Sequence, residues 1–176
     1  NQATGTEPHK KPKASHRLAA AFPNRGSIQR VKSGKPSTVP LSWNEIKSRA
    51  LTFSRTWSDA ANEDSQGKPF WIDFFEIFGI TNKRVASFEH NVKKHGGGQG
   101  FVDLFWPGML LVEQKSRGKN LDAAFDQALG YFPGIAERDL PQLIVVCDFA
   151  RFRVHDLANG QVTEFALADL HQHVRL

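Results

Sequence analysis

Apolar positions recur along this chain with two different periods, and the changes of period divide it into elements. Residues 1–41 show neither period; they mix Pro, Ser, Gly, Lys and Asn around one short apolar cluster, Leu18 to Phe22. So little apolar surface cannot offset the entropy of ordering a chain, which makes this a disordered linker or tail. Order begins abruptly at Ser42-Trp-Asn-Glu45, which has the form of a capping box. Ile46, Ala50, Phe53 and Trp57 follow at spacings of four, three and four, one stripe of an amphipathic helix. The polar stretch 62–68 reads as its fraying end. A second helix is expected over 69–78, with proline in its first turn and Gly79 closing it. Phe70, Trp71, Phe74, Phe75 and Phe78 form its heavy aromatic face, read as core rather than as a stacking platform for bases. Residues 83–94 then alternate in the manner of a strand, and Gly96-Gly-Gly98 supplies a turn. Two more strand-like runs meet at Pro107-Gly108, so a three-stranded antiparallel meander is expected. Helical spacing returns over 121–137, and Pro141 precedes the apolar run 142–147, suited to a buried strand. A hairpin about Asn159-Gly160 and a further helix from Leu167 close the chain. A helix between the third and fourth strands makes a crossover, so those two are expected to be parallel. The fold class is α/β, a mixed central sheet (antiparallel meander plus a parallel strand) flanked by helices.

Charge sharpens this division. The formal net charge is +5, but residues 1–41 hold eight Lys or Arg against Glu7 alone, leaving 15 Lys or Arg against 17 Asp or Glu in 42–176. The tail is therefore +7 and the ordered part −2. A basic tail can hold nucleic acid through counterion release, or serve as a solvated lead-in. The ordered part does not present a DNA-binding surface on charge alone. Cys147 is the lone cysteine and lies within an apolar run, as a buried strand residue in a reducing, cytoplasmic setting would. No membrane span or signal peptide is recognisable. The chain opens on Asn1 rather than Met, and a piece of a longer polypeptide is expected.

Candidate chemistry gathers in Phe101-Val-Asp-Leu-Phe-Trp-Pro-Gly-Met-Leu-Leu-Val-Glu-Gln-Lys-Ser116. If the two runs fold back symmetrically about position 108, Asp103 falls opposite Glu113, with Cβ atoms roughly 5 Å apart. Strand alternation puts Lys115 on the same face as Glu113. Two carboxylates and an ammonium would then meet on an otherwise apolar hairpin, where charges are rarely found unless paired or bound to metal. Hard carboxylate oxygens suit Mg²⁺ or Mn²⁺, and the backbone carbonyl of Gln114 can serve as a further ligand. Glu76 and Glu89 are candidates for an additional carboxylate. The histidines are scattered, and His90 and His95 are read as strand or surface residues rather than ligands.

Asp103 followed by Glu113-Gln-Lys115 resembles the PD-(D/E)xK nuclease motif, with Val102 standing where the motif has proline. Gln127-Ala-Leu-Gly-Tyr131 resembles the Gln-x-x-x-Tyr motif of the RecB-like branch of that superfamily, and positions four apart share a helix face. The runs Asp73-Phe-Phe-Glu-Ile-Phe-Gly79, Ala86-Ser-Phe-Glu89, Phe101 to Gly108, Leu111 to Ser116 and Asp148-Phe149 are similar to the N-terminal region of MmeI-like enzymes. These are type IIL restriction–modification polypeptides that join a nuclease to an adenine-specific DNA methyltransferase. Across 42–176 the resemblance implies a Mg²⁺-dependent endodeoxyribonuclease domain acting on double-stranded DNA, with Asp103, Glu113 and Lys115 as catalytic triad and Gln127 and Tyr131 beside it. It also implies a downstream methyltransferase using S-adenosylmethionine and a target-recognition domain in the same polypeptide. A catalytically silent nuclease-like scaffold and a stand-alone RecB-like repair nuclease are the alternative readings.

Overall fold

The computed structural model describes residues 40–81, 86–93 and 99–175. The basic tail to position 39, His95 and the expected turn at Gly96-Gly-Gly98 lie outside the described residues. Helix α1 (Trp43–Thr56) starts where expected: the Ser42 hydroxyl accepts the Glu45 N–H, and Glu45 reaches back to the Ser42 N–H at 2.8 Å. Ile46, Ala50 and Phe53 are buried along its inner stripe.

Helix α2 (Glu63–Ile77) begins six residues before the expected start, so the stretch read as fraying is its first two turns. The Asn62 side chain caps it by accepting the Ser65 N–H at 3.1 Å, and Gln66 Oε1 accepts the N–H groups of Ala61 and Asn62. Pro69 therefore sits inside the helix. An interior proline costs on the order of 3 kcal/mol. The aromatic face offsets that cost: Phe70, Trp71, Phe74 and Phe75 are all buried, with successive rings at 4.9–5.8 Å in edge-to-face contact.

Strands β1 (Ser87–Lys93), β2 (Gln99–Trp106), β3 (Leu110–Gln114), β4 (Leu143–Cys147), β5 (Arg151–Asp156) and β6 (Gln161–Ala166) form one sheet in sequence order. All neighbours are antiparallel except β3 and β4, which are parallel and joined through helix α3 (Leu121–Leu129). The expected mixed sheet is thus observed, and the closing hairpin extends it as strands five and six rather than standing apart. Helix α3 stops eight residues before the expected end. Gly130 closes it, and the chain continues in 3₁₀ turns at Phe132–Gly134, which contains Pro133, and Glu137–Asp139. The last helix, α4 (Leu170–His173), is a single turn.

Helices α1, α2 and α4 cover one face, packing Ile46, Phe70 and Trp71 over Leu110, Val112, Val145 and Phe152. Helix α3 covers the other with Leu121, Ala124 and Ala128 over Leu111, Ile144 and Val146. Cys147 is a buried free thiol on the first face, and burial pushes its pKa up, as the inert reading requires. Among the described residues no helix is long and apolar enough to cross a membrane.

Candidate active site

The β2–β3 hairpin turns at Pro107-Gly108, where Gly108 takes φ 72, a region open to glycine without a Cβ penalty. Its register pairs Leu104 with Val112, Phe105 with Leu111 and Trp106 with Leu110, each sum being twice 108. The ladder ends there. One step further, where Asp103 and Glu113 would pair, the strands part, and the Gln114 N–H donates instead to Asp103 Oδ2 at 2.6 Å. On the other side of β2 the β1 ladder also skips a position, Glu89 against Asp103, and Glu89 is held at φ 53. A non-glycine residue in that region costs about 1–3 kcal/mol, and such strain gathers at functional sites. Val102 packs in the α3-side core while Leu104 packs in the opposite one, so β2 twists over at Asp103. Both lapses leave this carboxylate at a break in the sheet.

Glu113 is 1% exposed. Its Oε1 accepts from Lys115 Nζ at 2.7 Å, whereas Oε2 is buried with no hydrogen-bond partner among the described residues. Burial, the largest cause, and then the Asp103 charge push its pKa up to about 8. Asp103 is pushed up to about 6, again chiefly by burial, with the Gln114 N–H pulling the other way. Burial, the largest single cause, acts to lower the Lys115 pKa, but its carboxylate neighbours, Glu113 first, together outweigh it and raise it. Lys115 is held from behind as well. Its N–H donates to the Cys147 carbonyl at 2.7 Å, and the Gln114 side chain, itself fixed by Trp71 Nε1, donates to the Lys115 carbonyl at 2.9 Å. Since Gln114 turns its N–H toward Asp103, its carbonyl points to that same strand edge, as both groups of one strand residue do.

A cavity of about 260 Å³ opens beside these groups, lined by Glu63, Lys68, Trp71, Phe88, Asp103 and Gln114, with Glu89 at its rim. Glu89 is exposed and lies 4.0 Å from Lys68. Glu76 does not join the site: it is exposed in the groove between α1 and α2, where its carbonyl accepts from Arg49. His90 stands over the Phe105 ring and meets Ser87, away from the carboxylates. Gln127 and Tyr131 do meet, although Tyr131 lies just past the end of α3. Gln127 Nε2 donates to the Tyr131 hydroxyl at 2.7 Å, and that hydroxyl donates to the Phe101 carbonyl at 3.0 Å. Both bonds lead to β2, two residues before Asp103.

Glu63 escaped the sequence reading. It opens α2, places Oε1 3.4 Å from Lys115 Nζ, and accepts the Ser116 N–H at 3.1 Å. The available signal was Asn62 as a helix cap, which would have moved the helix start back to it. Asp148 was also missed as a brace: buried, it accepts from Gly118 N–H and from Arg151, which fixes the loop behind Lys115.

Among the described residues no three His, Cys, Asp or Glu side chains form a ready ligand group. The donor chemistry nevertheless fits a divalent cation: two converging hard carboxylates, one buried oxygen without a partner, and raised proton affinities that a cation would relieve.

No curated protein matches the chain. A chain in a cryo-electron-microscopy structure of a DrdV–DNA complex aligns at TM-score 0.48 and 14% identity, covering 76% of this chain and 13% of its own length. The present chain therefore spans a small part of that protein. The family model described as the N-terminal domain of MmeI matches residues 48–176, from the first helix to the last residue. The chain belongs to the MmeI N-terminal domain family.

Proposed function

We propose that residues 42–176 are the endonuclease domain of an MmeI-like restriction–modification polypeptide, hydrolysing phosphodiester bonds of double-stranded DNA with Mg²⁺ or Mn²⁺. The observation that carries this reading is Glu113: a carboxylate buried in an apolar hairpin beside a second one, with Oε2 unbonded among the described residues and an ammonium at Oε1. Burying such a group costs the fold several kcal/mol in order of magnitude, which the one bond to Lys115 offsets only in part, a cost with no purpose in a purely structural hairpin.

Asp103, Glu113 and the Gln114 carbonyl would hold the cation, which would polarise a phosphoryl oxygen and lower the pKa of bound water. Lys115, its ammonium between Glu113 and Glu63, would offset negative charge developing on the phosphate or orient the attacking water. Trp71 and Gln114 fix the Lys115 backbone, and Gln127 with Tyr131 fixes β2 at Phe101, so the two arms of the site stay in register. Target recognition and S-adenosylmethionine-dependent adenine methylation belong, in this reading, to downstream parts of the same polypeptide.

The test is cleavage of plasmid DNA by the full-length protein with Mg²⁺, comparing parent, Asp103→Asn and Lys115→Ala. Both variants should lose cutting while methylation of the same DNA persists. Parent-level cutting by either would remove the hairpin from the chemistry.

A further inference from the structure

Glu63 belongs to no motif, yet several bonds of the fold serve to place it. Its N–H donates to Ser116 Oγ at 3.2 Å, and its Oε2 accepts the Ser116 N–H at 3.1 Å. Arg117 then straps the loop before α2 onto the loop after β3. Its N–H donates to the Ala61 carbonyl at 3.0 Å, its Nε to the Ala60 carbonyl at 2.7 Å, and its Nη2 to the Ser58 carbonyl at 2.7 Å. These bonds bring the free oxygen of Glu63 to 3.4 Å from Lys115 Nζ.

Lys115 is thus shared between an inner carboxylate, Glu113 at 2.7 Å, and an outer one, Glu63 at 3.4 Å. The two differ in depth: the Glu113 side chain is 1% exposed and that of Glu63 31%. A divalent cation on Glu113 and an ammonium on the same carboxylate repel each other strongly at such separations. An ammonium displaced from Glu113 needs a second anchor that is not itself engaged by the cation. We propose that Glu63 is that anchor, a positioning residue that takes over Lys115 when Glu113 is occupied and holds the ammonium at the cavity mouth, where a phosphate would enter. The proposal rests on the nuclease reading and deepens it, assigning Glu63 a role through Lys115 rather than as a cation ligand.

Mn²⁺ titration calorimetry on the full-length protein, without DNA, tests it through a double-mutant cycle of Glu63→Gln and Lys115→Ala. With the Glu63 charge gone, Lys115 leans on Glu113 alone and competes harder, so Glu63→Gln should weaken Mn²⁺ binding about threefold or more, and this loss should vanish in the Lys115→Ala background. Cleavage by Glu63→Gln at saturating Mg²⁺ should fall at least about tenfold in kcat, with KM within about twofold, as expected when a catalytic group is misplaced. A Mn²⁺ loss that persists in Lys115→Ala would make Glu63 a direct ligand and overturn the proposal, as would parent-like kcat in Glu63→Gln. Asp103→Asn, run alongside, separates the two levels. If it binds Mn²⁺ and cuts like the parent, the nuclease reading falls; if it is inactive while Glu63→Gln is parent-like, the role of Glu63 alone falls.

Discussion

Burial raises the proton affinity of Asp103 and Glu113, and that makes the stability of the domain depend on pH in an unusual direction. Unfolded, these groups release their protons near 3.8 and 4.5; folded, they hold them to about 6 and about 8. Between those limits the folded state binds more protons than the unfolded state, so stability falls as pH rises through the window and levels off above it. Thermal melts of the metal-free protein from about pH 5 to about pH 8.5 should show this decline, with Glu113→Gln flattening most of it. Mn²⁺ should raise the midpoint more at the alkaline end, where it has fewer protons to displace. An unchanged slope in Glu113→Gln would show that this carboxylate does not titrate as a buried group. Gln127 makes a different residue-level case. Removing its amide leaves the Tyr131 hydroxyl its own bond to Phe101, so Gln127→Ala should cost only about 0.5–1 kcal/mol in a denaturant titration. Cleavage should nevertheless drop at least about tenfold, because β2 carries Asp103 two residues further on and small displacements are costly in a reacting geometry. Parent-level cutting would reduce the Gln-x-x-x-Tyr match to packing.

Helix α2 shows how an element can carry a site that its sequence does not announce. Its aromatic face was legible, since Phe70, Trp71, Phe74 and Phe75 repeat at helical spacing and are buried as core. Its start was not, because Pro69 looks like a first-turn residue and the polar residues before it have no apolar period to reveal them. The hairpin was legible for the opposite reason: alternation and a Pro-Gly turn set the register from Trp106–Leu110 to Leu104–Val112, one step short of Asp103 and Glu113. Glu63 lies 52 positions from Lys115 and reaches it through Arg117 bonds to the backbone carbonyls of Ser58 and Ala60. Carbonyl acceptors are the same in every residue, so such a strap leaves no trace in residue identity. The strand twist at Asp103 was hidden likewise, being a backbone event at Glu89 and not a change of hydrophobic pattern. If the strap matters, Arg117→Ala should destabilise the domain by about 1–2 kcal/mol, in keeping with hydrogen bonds from a partly exposed charged group. Its cleavage rate should fall as well, and Arg117→Lys should recover little of that rate, since lysine retains the charge but cannot span both carbonyls. Equal cutting by the parent and Arg117→Ala would show that the loop holds Glu63 without it.

At the scale of the molecule, residues 42–176 carry their charge in the wrong sense for tight DNA binding by themselves. Residues 42–176 hold 15 Lys or Arg against 17 Asp or Glu. The cavity that would receive a phosphate is rimmed by Glu63, Asp103 and Glu89, with Lys68 the one basic side chain among its described lining residues. A phosphate backbone approaching this edge without a cation meets the carboxylates among the described residues, so in the proposed reading binding energy would have to come from the cation and from surfaces beyond this cavity. The domain would then cut only where other parts deliver DNA to it, which protects against indiscriminate cleavage. Fluorescence anisotropy with a labelled duplex tests this directly on residues 41–176, a range that holds every described residue of the two cores, Leu41 included. Without divalent ions at about 0.15 M salt, binding should be no tighter than the non-specific range of roughly 10⁻⁴–10⁻⁶ M and indifferent to sequence. Ca²⁺ should tighten it in the parent but not in Asp103→Asn, since the added charge acts at the hairpin. Extending the protein to residue 1 adds a net charge of +7 and should strengthen binding in a manner that salt abolishes, the mark of counterion release rather than recognition. Tight, salt-resistant, sequence-selective binding by 41–176 would instead place a recognition surface on the nuclease domain itself.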